Sequence, residues 1–473
     1  MRAALIGAAA SSAGGSHAGR ALAQNAGEVS AASRDVLFGS PVEQRAALDV
    51  LAPAGASPAP ERAAIIILAL RFAREASADM HNALLRVTGE TPPRTGRSAW
   101  FDWMLWQEGR PEIRPHPSFY GLKRELFLRI DRNFRVFLDP QYLGPDAARI
   151  RFEEVTWGGV RKDGIPSLDF SEVAGEKLPG DPQMIAAGDA DYLAEDDLVF
   201  GVAIKGDVRA YPLRIMGWHE MLNAVIGGVP VALAYCTLCG AGFLFETRAA
   251  GRERPFVFGS SGFLYRSNKL MFDRETHTLW NQYTGEPAMG PLVGSDLSLK
   301  RRPVIVSSWR AWRERHPEGQ VLSLNTGSRR DYGSGVVYRE YFASPELMFP
   351  ARADAAPAAL KSFVFGVETT GAARAWPLEA FEKTPVINDR VGQLELALFG
   401  DGSERTVRAY ESGGRIFSLD RQGRPVADGV VWRETEDALL GPNGARAPRV
   451  PGRLSYWFAW NGYLGGAASL YSG

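Results

Sequence analysis

The chain has 473 residues, with Lys+Arg and Asp+Glu both at 54 and a formal charge of zero. That balance excludes the basic excess of a nucleic-acid binder, and two cysteines exclude a four-thiolate zinc site and a disulfide scaffold alike. Apolar residues at 45% and charged residues at 23% are ordinary for a soluble multidomain protein, and no run reaches the roughly 18 apolar residues of a membrane span.

Residues 1–23 read as a leader. Arg2 precedes a small apolar run, and Ala21-Leu22-Ala23 before Gln24 has the small-x-small form of a cleavage site. The expectation is export to the bacterial periplasm or exterior, where disulfides are permitted. Residues 24–148 are expected to be helical. Val42 to Leu51, Glu61 to Phe72 and Asp79 to Val87 carry apolar residues at three- and four-residue spacing, with a Pro/Ala/Gly linker at Ala52 to Pro60 and a stop at Gly89. Such helix pairs resemble HEAT-type repeats and offer a surface for a protein partner. Trp100, Trp103 and Trp106 are expected to pack this region onto the next domain, and a helix is expected from Phe119 to Phe137.

From Arg149 the chain turns β-rich. Leu198 to Ile204 and Val208 to Tyr211 predict a hairpin closed at Gly206-Asp207. Pro212 predicts the start of a helix, Leu213 to Val225, ended by Gly227-Gly228. Pro230 to Tyr235 predicts a buried strand running into Cys236. Further strands are expected at Gly242 to Thr247, Pro255 to Phe258 and Thr278 to Gln282, with a helix at Trp309 to Arg315. The chain also repeats itself. Val199-Phe200-Gly201-Val202 recurs as Val364-Phe365-Gly366-Val367, 165 residues on, and at that offset Arg209-Ala210-Tyr211-Pro212-Leu213 recurs as Arg374-Ala375-Trp376-Pro377-Leu378 and Asn223 as Asn388. The fold class is therefore α+β: a HEAT-like helical region followed by two duplicated β-rich units, 149–335 and 350–473.

The repeat supplies its own control. His219 and Glu220 fall on Thr384 and Pro385, and Cys236 and Cys239 on Asp401 and Glu404. Residues that one copy dispenses with are better explained by chemistry than by packing. Two thiolates spaced C-x2-C on a turn can face one point, and Gly240 lets the backbone bend around it. With His219 on the preceding helix, they predict a transition-metal site, copper preferred with zinc or iron as alternatives. His277 and Met271 are candidate fourth ligands, and Glu220 is a candidate proton-handling residue. A c-type haem is excluded because Gly, not His, follows Cys239.

Two other readings stay open. The pair is a redox-active dithiol with Cys236 as nucleophile, or a structural disulfide on an interaction scaffold. Phe258-Gly259-Ser260-Ser261-Gly262 lacks the Lys of a P-loop and predicts a strand-exit loop. Asp273-Arg274-Glu275 predicts a polar turn, and Asn281, Gln282 and Glu286 are further pocket candidates.

Asp163-Gly164-Ile165-Pro166, Arg209-Ala210-Tyr211-Pro212-Leu213, Trp218-His219-Glu220, Tyr235-Cys236-Thr237-Leu238-Cys239-Gly240, Gly259-Ser260-Ser261-Gly262 and Leu279-Trp280-Asn281-Gln282 occur in this order. Together they resemble the bacterial and archaeal family catalogued as domain of unknown function 3179. The resemblance covers about residues 150–330, implies an often exported protein and supplies no reaction. Where the family pattern has Asn-Asp, this chain has Asn223-Ala224. An Asp there would orient His219, and Glu220 is the candidate substitute.

Overall fold

A computed structural model describes residues 14–73, 75–174, 181–354, 358–465 and 468–473. Two compact units divide between Leu126 and Phe127. The first is helical: α1 (Gly14–Phe38), α2 (Pro41–Leu51), α3 (Ala63–Leu70), α4 (Ser77–Thr88), α5 (Ala99–Glu108) and the start of α6 (Ser118–Ile130). Of the leader-like segment, residues 1–13 lie outside the described residues and 14–23 belong to α1. Among the described residues no helix is long and apolar enough to cross a membrane.

Local chemistry sets these boundaries. Ser40 caps α2 in a reciprocal capping box with Glu43, and Pro41 occupies the first turn, where its missing N–H costs nothing. Gly89, at φ 67°, closes α4 in the left-handed conformation that glycine adopts most cheaply. Every residue of α3 is buried, so this helix is wrapped on all sides rather than amphipathic. Trp103 and Trp106 are hydrogen-bonded within this unit. Trp103 Nε1 donates to His81 Nδ1 at 3.0 Å and Trp106 Nε1 to Glu90 Oε2 at 2.8 Å.

The second unit begins earlier than residue 149. Phe127, Phe134 and Phe137 stack around Phe263, and Phe137 also meets Phe272, so residues 127–148 pack with the β-rich part. The helix expected from Phe119 to Phe137 breaks accordingly. It ends at Ile130, and Asp131 caps a separate turn over Arg132–Val136.

The strands that carry the site are β1 (Leu198–Ile204), β2 (Asp207–Pro212), β3 (Met221–Ile226), β4 (Val229–Cys236), β5 (Ala241–Glu246), β6 (Phe258–Tyr265), β7 (Asn268–Asp273) and β8 (Leu279–Asn281), with α7 (Leu213–His219) between β2 and β3. β9 (Ile305–Ser308) leads into α8 (Trp309–Arg315), then β10 (Gln320–Leu322). Later come β11 (Phe363–Thr369), β12 (Ala372–Pro377), β13 (Val386–Val391), β14 (Leu394–Asp401), β15 (Thr406–Glu411), β16 (Arg453–Tyr456), α9 (Trp457–Leu464) and β17 (Ala468–Leu470).

One five-stranded sheet contains the run β9-β1-β2-β10, with Met184–Ala186 antiparallel beyond β10, and a four-stranded sheet repeats that run as β16-β11-β12-β17; the β2–β10 and β12–β17 pairs are both parallel. Likewise β3-β4-β5 and β13-β14-β15 form antiparallel meanders. The five strands β11 to β15 each begin 165 positions after β1 to β5 and have the same lengths. Leu222, Leu233, Leu244, Phe365, Trp376 and Leu398 share one core. The segment Phe258 to Gly262, expected to be a loop, lies inside β6 and pairs with β7. Its small residues let neighbouring chains approach, as a side chain at Gly259 would crowd the Phe272 ring at 2.7 Å.

Candidate functional site

The cysteine turn closes on itself. β4 ends at Cys236, a 3-10 turn spans Thr237–Cys239, and Gly240 at φ 60° reverses the chain into β5. Cys236 and Cys239, with Cα atoms 5.3 Å apart, are joined in a disulfide. Both are buried, and Cys239 Sγ lies 3.6 Å from the Ser267 carbonyl.

The preceding helix is shorter than its pattern predicts. α7 stops at His219, and Met221–Ile226 is a strand paired with β4 in place of the helix expected to Val225. The cause is Glu220, which takes up a left-handed conformation at φ 55° and breaks the helix. A glycine would hold that conformation at less cost, so a carboxylate there points to use of its side chain.

His219 is oriented and fully engaged. Its Nδ1 donates to the Pro166 carbonyl at 2.8 Å, which leaves Nε2 to accept from the Tyr332 hydroxyl at 2.6 Å. Burial, with a smaller contribution from the Arg330 charge, holds its pKa below the ordinary value against the pull of the Pro166 carbonyl. An Asp at position 224 is not what orients this ring. Asp389, which stands at the position equivalent to Ala224, accepts instead from Arg374 at 2.7 Å and Trp376 at 2.9 Å.

The expected ligands do not converge in this form. The cysteine sulfurs are bonded to each other and neither ring nitrogen of His219 is open. His277 sits on the turn after β7, at φ 57° with its ring against Phe272, and Met271 is buried within β7. Among the described residues no group of three or more His, Cys, Asp or Glu side chains gathers as a metal ion requires.

What does gather around Cys236 is a different set. Cys236, Glu220, Thr237, Ser260, Lys269 and Tyr338 line a cavity of about 30 Å³. Glu220 Oε1 accepts from Thr237 Oγ1 at 2.8 Å and from the Tyr338 hydroxyl at 3.1 Å. Lys269 Nζ donates to the Glu220 carbonyl oxygen at 2.5 Å and lies 3.7 Å from the Glu220 carboxylate. Burial pushes the Lys269 ammonium down to about 8, although Glu220 pulls the other way. Burial also raises the Tyr338 hydroxyl pKa, which keeps it a hydrogen-bond donor.

Lys269 and Tyr338 escaped sequence reasoning. The available signal for the lysine was its position beside the apolar run Leu270-Met271-Phe272, where a cation is out of place unless it is used. No local pattern marks Tyr338, which reaches Glu220 from 118 residues away. Of the other candidates, the polar turn is present. Asp273 accepts from Thr276 and Trp280, whereas Arg274 pairs with Asp163 at 3.2 Å.

A second, larger cavity of about 700 Å³ lies on the other face of β4. Tyr235 and Gly240, which flank the cysteine turn, line it together with Phe363, Arg405 and Tyr456 from the second repeat.

The chain matches the family described as "Protein of unknown function (DUF3179)" over residues 162–466, most of its length. It belongs to that family. No curated protein and no solved structure matches it.

Proposed function

We propose that Cys236 and Cys239 form a reversible two-electron dithiol/disulfide centre in an exported protein of the DUF3179 family. The observation that carries this reading is the joined C-x2-C pair with a buried cation and carboxylate, Lys269 and Glu220, on the cavity that Cys236 lines. An oxidising compartment, consistent with the leader-like residues 1–23, suits such a pair. Cys236 is the nucleophile when the pair is reduced. It shares its cavity with Lys269, whose positive charge favours a thiolate, whereas Cys239 Sγ faces the Ser267 carbonyl, which favours a thiol that donates to it. In the reducing direction an external dithiol supplies two electrons and two protons. The sulfur–sulfur bond breaks, Cys236 and Cys239 become thiols, and the dithiol closes to its own disulfide.

The test is a redox titration of the folded protein in dithiothreitol buffers, with thiols counted by alkylation and folding followed by tryptophan fluorescence. Two thiols appearing together while the protein stays folded support the proposal. Thiols that appear only as the protein unfolds overturn it in favour of a structural disulfide. Elemental analysis of the reduced protein covers the metal reading. Near-stoichiometric copper, zinc or iron that is lost in Cys236→Ser/Cys239→Ser would move the assignment to a metal centre that reduction opens.

A further inference from the structure

The size and lining of the small cavity go beyond the redox assignment on which this inference rests. We infer that the two-electron oxidant of the Cys236–Cys239 dithiol is a peroxide of the size of hydrogen peroxide, bound in the cavity formed by Glu220, Thr237, Ser260 and Lys269. Alternation along β4 separates its neighbours. Tyr235 lines the larger cavity on one face, and Cys236 faces the other. The cavity measures about 30 Å³. That is space for a molecule of a few heavy atoms, and two bonded oxygens fit it.

Its walls are polar where a peroxide needs partners. Thr237 and Ser260 carry hydroxyls, Lys269 is a cation with N–H groups, and the Glu220 carboxylate is already held by Thr237 and Tyr338. The inner residues Glu220, Cys236, Ser260 and Lys269 are buried. Gly158, Val160, Ile165 and Tyr338, which also line it, are half-buried.

The chemistry balances with the groups present. The Cys236 thiolate attacks one peroxide oxygen and the oxygen–oxygen bond breaks. The departing hydroxide takes a proton from the Lys269 ammonium and leaves as water, and Cys236 becomes a sulfenic acid. The Cys239 thiol then attacks that sulfur, the disulfide closes, and its proton leaves with the hydroxyl as a second water. The proton that Cys236 releases on ionising replaces the one Lys269 gives up, so two thiols and one peroxide give one disulfide and two waters, and an external dithiol restores the pair.

The experiment is a single turnover. Protein reduced with a phosphine and freed of it is mixed with hydrogen peroxide, tert-butyl hydroperoxide or glutathione disulfide, and loss of the two thiols is timed. The expected result is one peroxide consumed per pair, at least about tenfold faster than in the same chain unfolded in urea. tert-Butyl hydroperoxide should be at least about tenfold slower than hydrogen peroxide. Lys269→Met should slow the hydrogen peroxide reaction at least about tenfold, within the range that removing a general acid costs. In Cys239→Ser a dimedone adduct should accumulate on Cys236. The size series needs no variant, so a misfolded Lys269→Met cannot hide the answer. Equal rates for the two peroxides, or no acceleration over the unfolded chain, overturn the inference. If glutathione disulfide oxidises the pair and hydrogen peroxide does not, the redox centre stands and its peroxide oxidant falls. If neither reagent oxidises it, both fall.

Discussion

The two repeats of the second unit share a backbone and differ in chemistry. β1 to β5 and β11 to β15 match in length and spacing, and Gly201 pairs with Ile305 as Gly366 pairs with Arg453. Structural devices recur with the backbone. Asn223 brackets Phe258, donating to its carbonyl at 2.8 Å and accepting from its N–H at 3.0 Å, and Asn388 brackets Phe417 at 2.8 Å in both directions. A side chain at Gly201 would collide with the Trp312 ring, and one at Gly366 with the Trp460 ring. The polar and sulfur side chains of the cysteine turn do not recur. Cys236 and Cys239 give way to exposed Asp401 and half-buried Glu404, and Glu220 to Pro385. The difference separates what holds this fold from what one repeat adds to it.

The comparison breaks or sharpens under substitution at paired positions. The largest effect is expected at the asparagines. Asn223→Ala strands the N–H and the carbonyl of the buried Phe258, and each unsatisfied group costs about 1–3 kcal/mol, so a loss of about 4 kcal/mol is expected. Asn388 is half-buried and water replaces part of its bonding, so Asn388→Ala should lose about 2 kcal/mol. Urea denaturation of both variants checks the pair, and an unchanged midpoint in either would end the structural equivalence. Next come Gly201→Ala and Gly366→Ala, each expected to lose about 3 kcal/mol as the added methyl displaces a packed indole. Trp312→Leu should recover much of the first loss and none of the second. A double-mutant cycle reads that selectivity directly.

Much of this was legible in the sequence because it depends on local pattern. The hairpin at 198–212, the strand ending at Cys236, the helix at Trp309–Arg315 and the helices α2 to α4 follow from periodicity, Gly/Pro punctuation and capping residues. The cysteine pair stood out because the other repeat lacks it. What was not legible depends on distance and on strain. A helix pattern through Val225 could not announce that Glu220 would adopt a positive φ and hand the next six residues to a sheet. The partners of His219 lie 53 and 113 residues away, so a ring that reads as an open ligand is closed by Pro166 and Tyr332. Lys269 gains its role only when β7 carries it to Glu220, 49 residues distant.

The remaining test is of that lysine, and its effect appears as a pH dependence. In the second repeat, buried Arg408 keeps its charge because Glu436 meets it at 2.8 Å. Lys269 lies 3.7 Å from the Glu220 carboxylate, and burial outweighs that attraction, bringing its pKa from 10.5 to about 8. A lysine whose folded pKa lies below its unfolded value makes the folded state pay for the charge at low pH. Below about pH 8 both states hold the proton and the penalty is felt in full. Between about pH 8 and 10.5 the unfolded chain binds more protons, so stability rises with pH across that window. At 1.36 kcal/mol per pH unit the rise amounts to roughly 2–3 kcal/mol. Lys269→Met, paired with Glu220→Gln so that no carboxylate is left unpartnered, should abolish it and leave the rest of the stability–pH profile in place. Urea midpoints at pH 7, 8, 9 and 10 for the wild type and this double variant give the comparison. A wild-type profile as flat as the variant's over that range would mean that the Lys269 ammonium is well solvated or well paired, and the cavity beside Cys236 would lose the proton donor assigned to it.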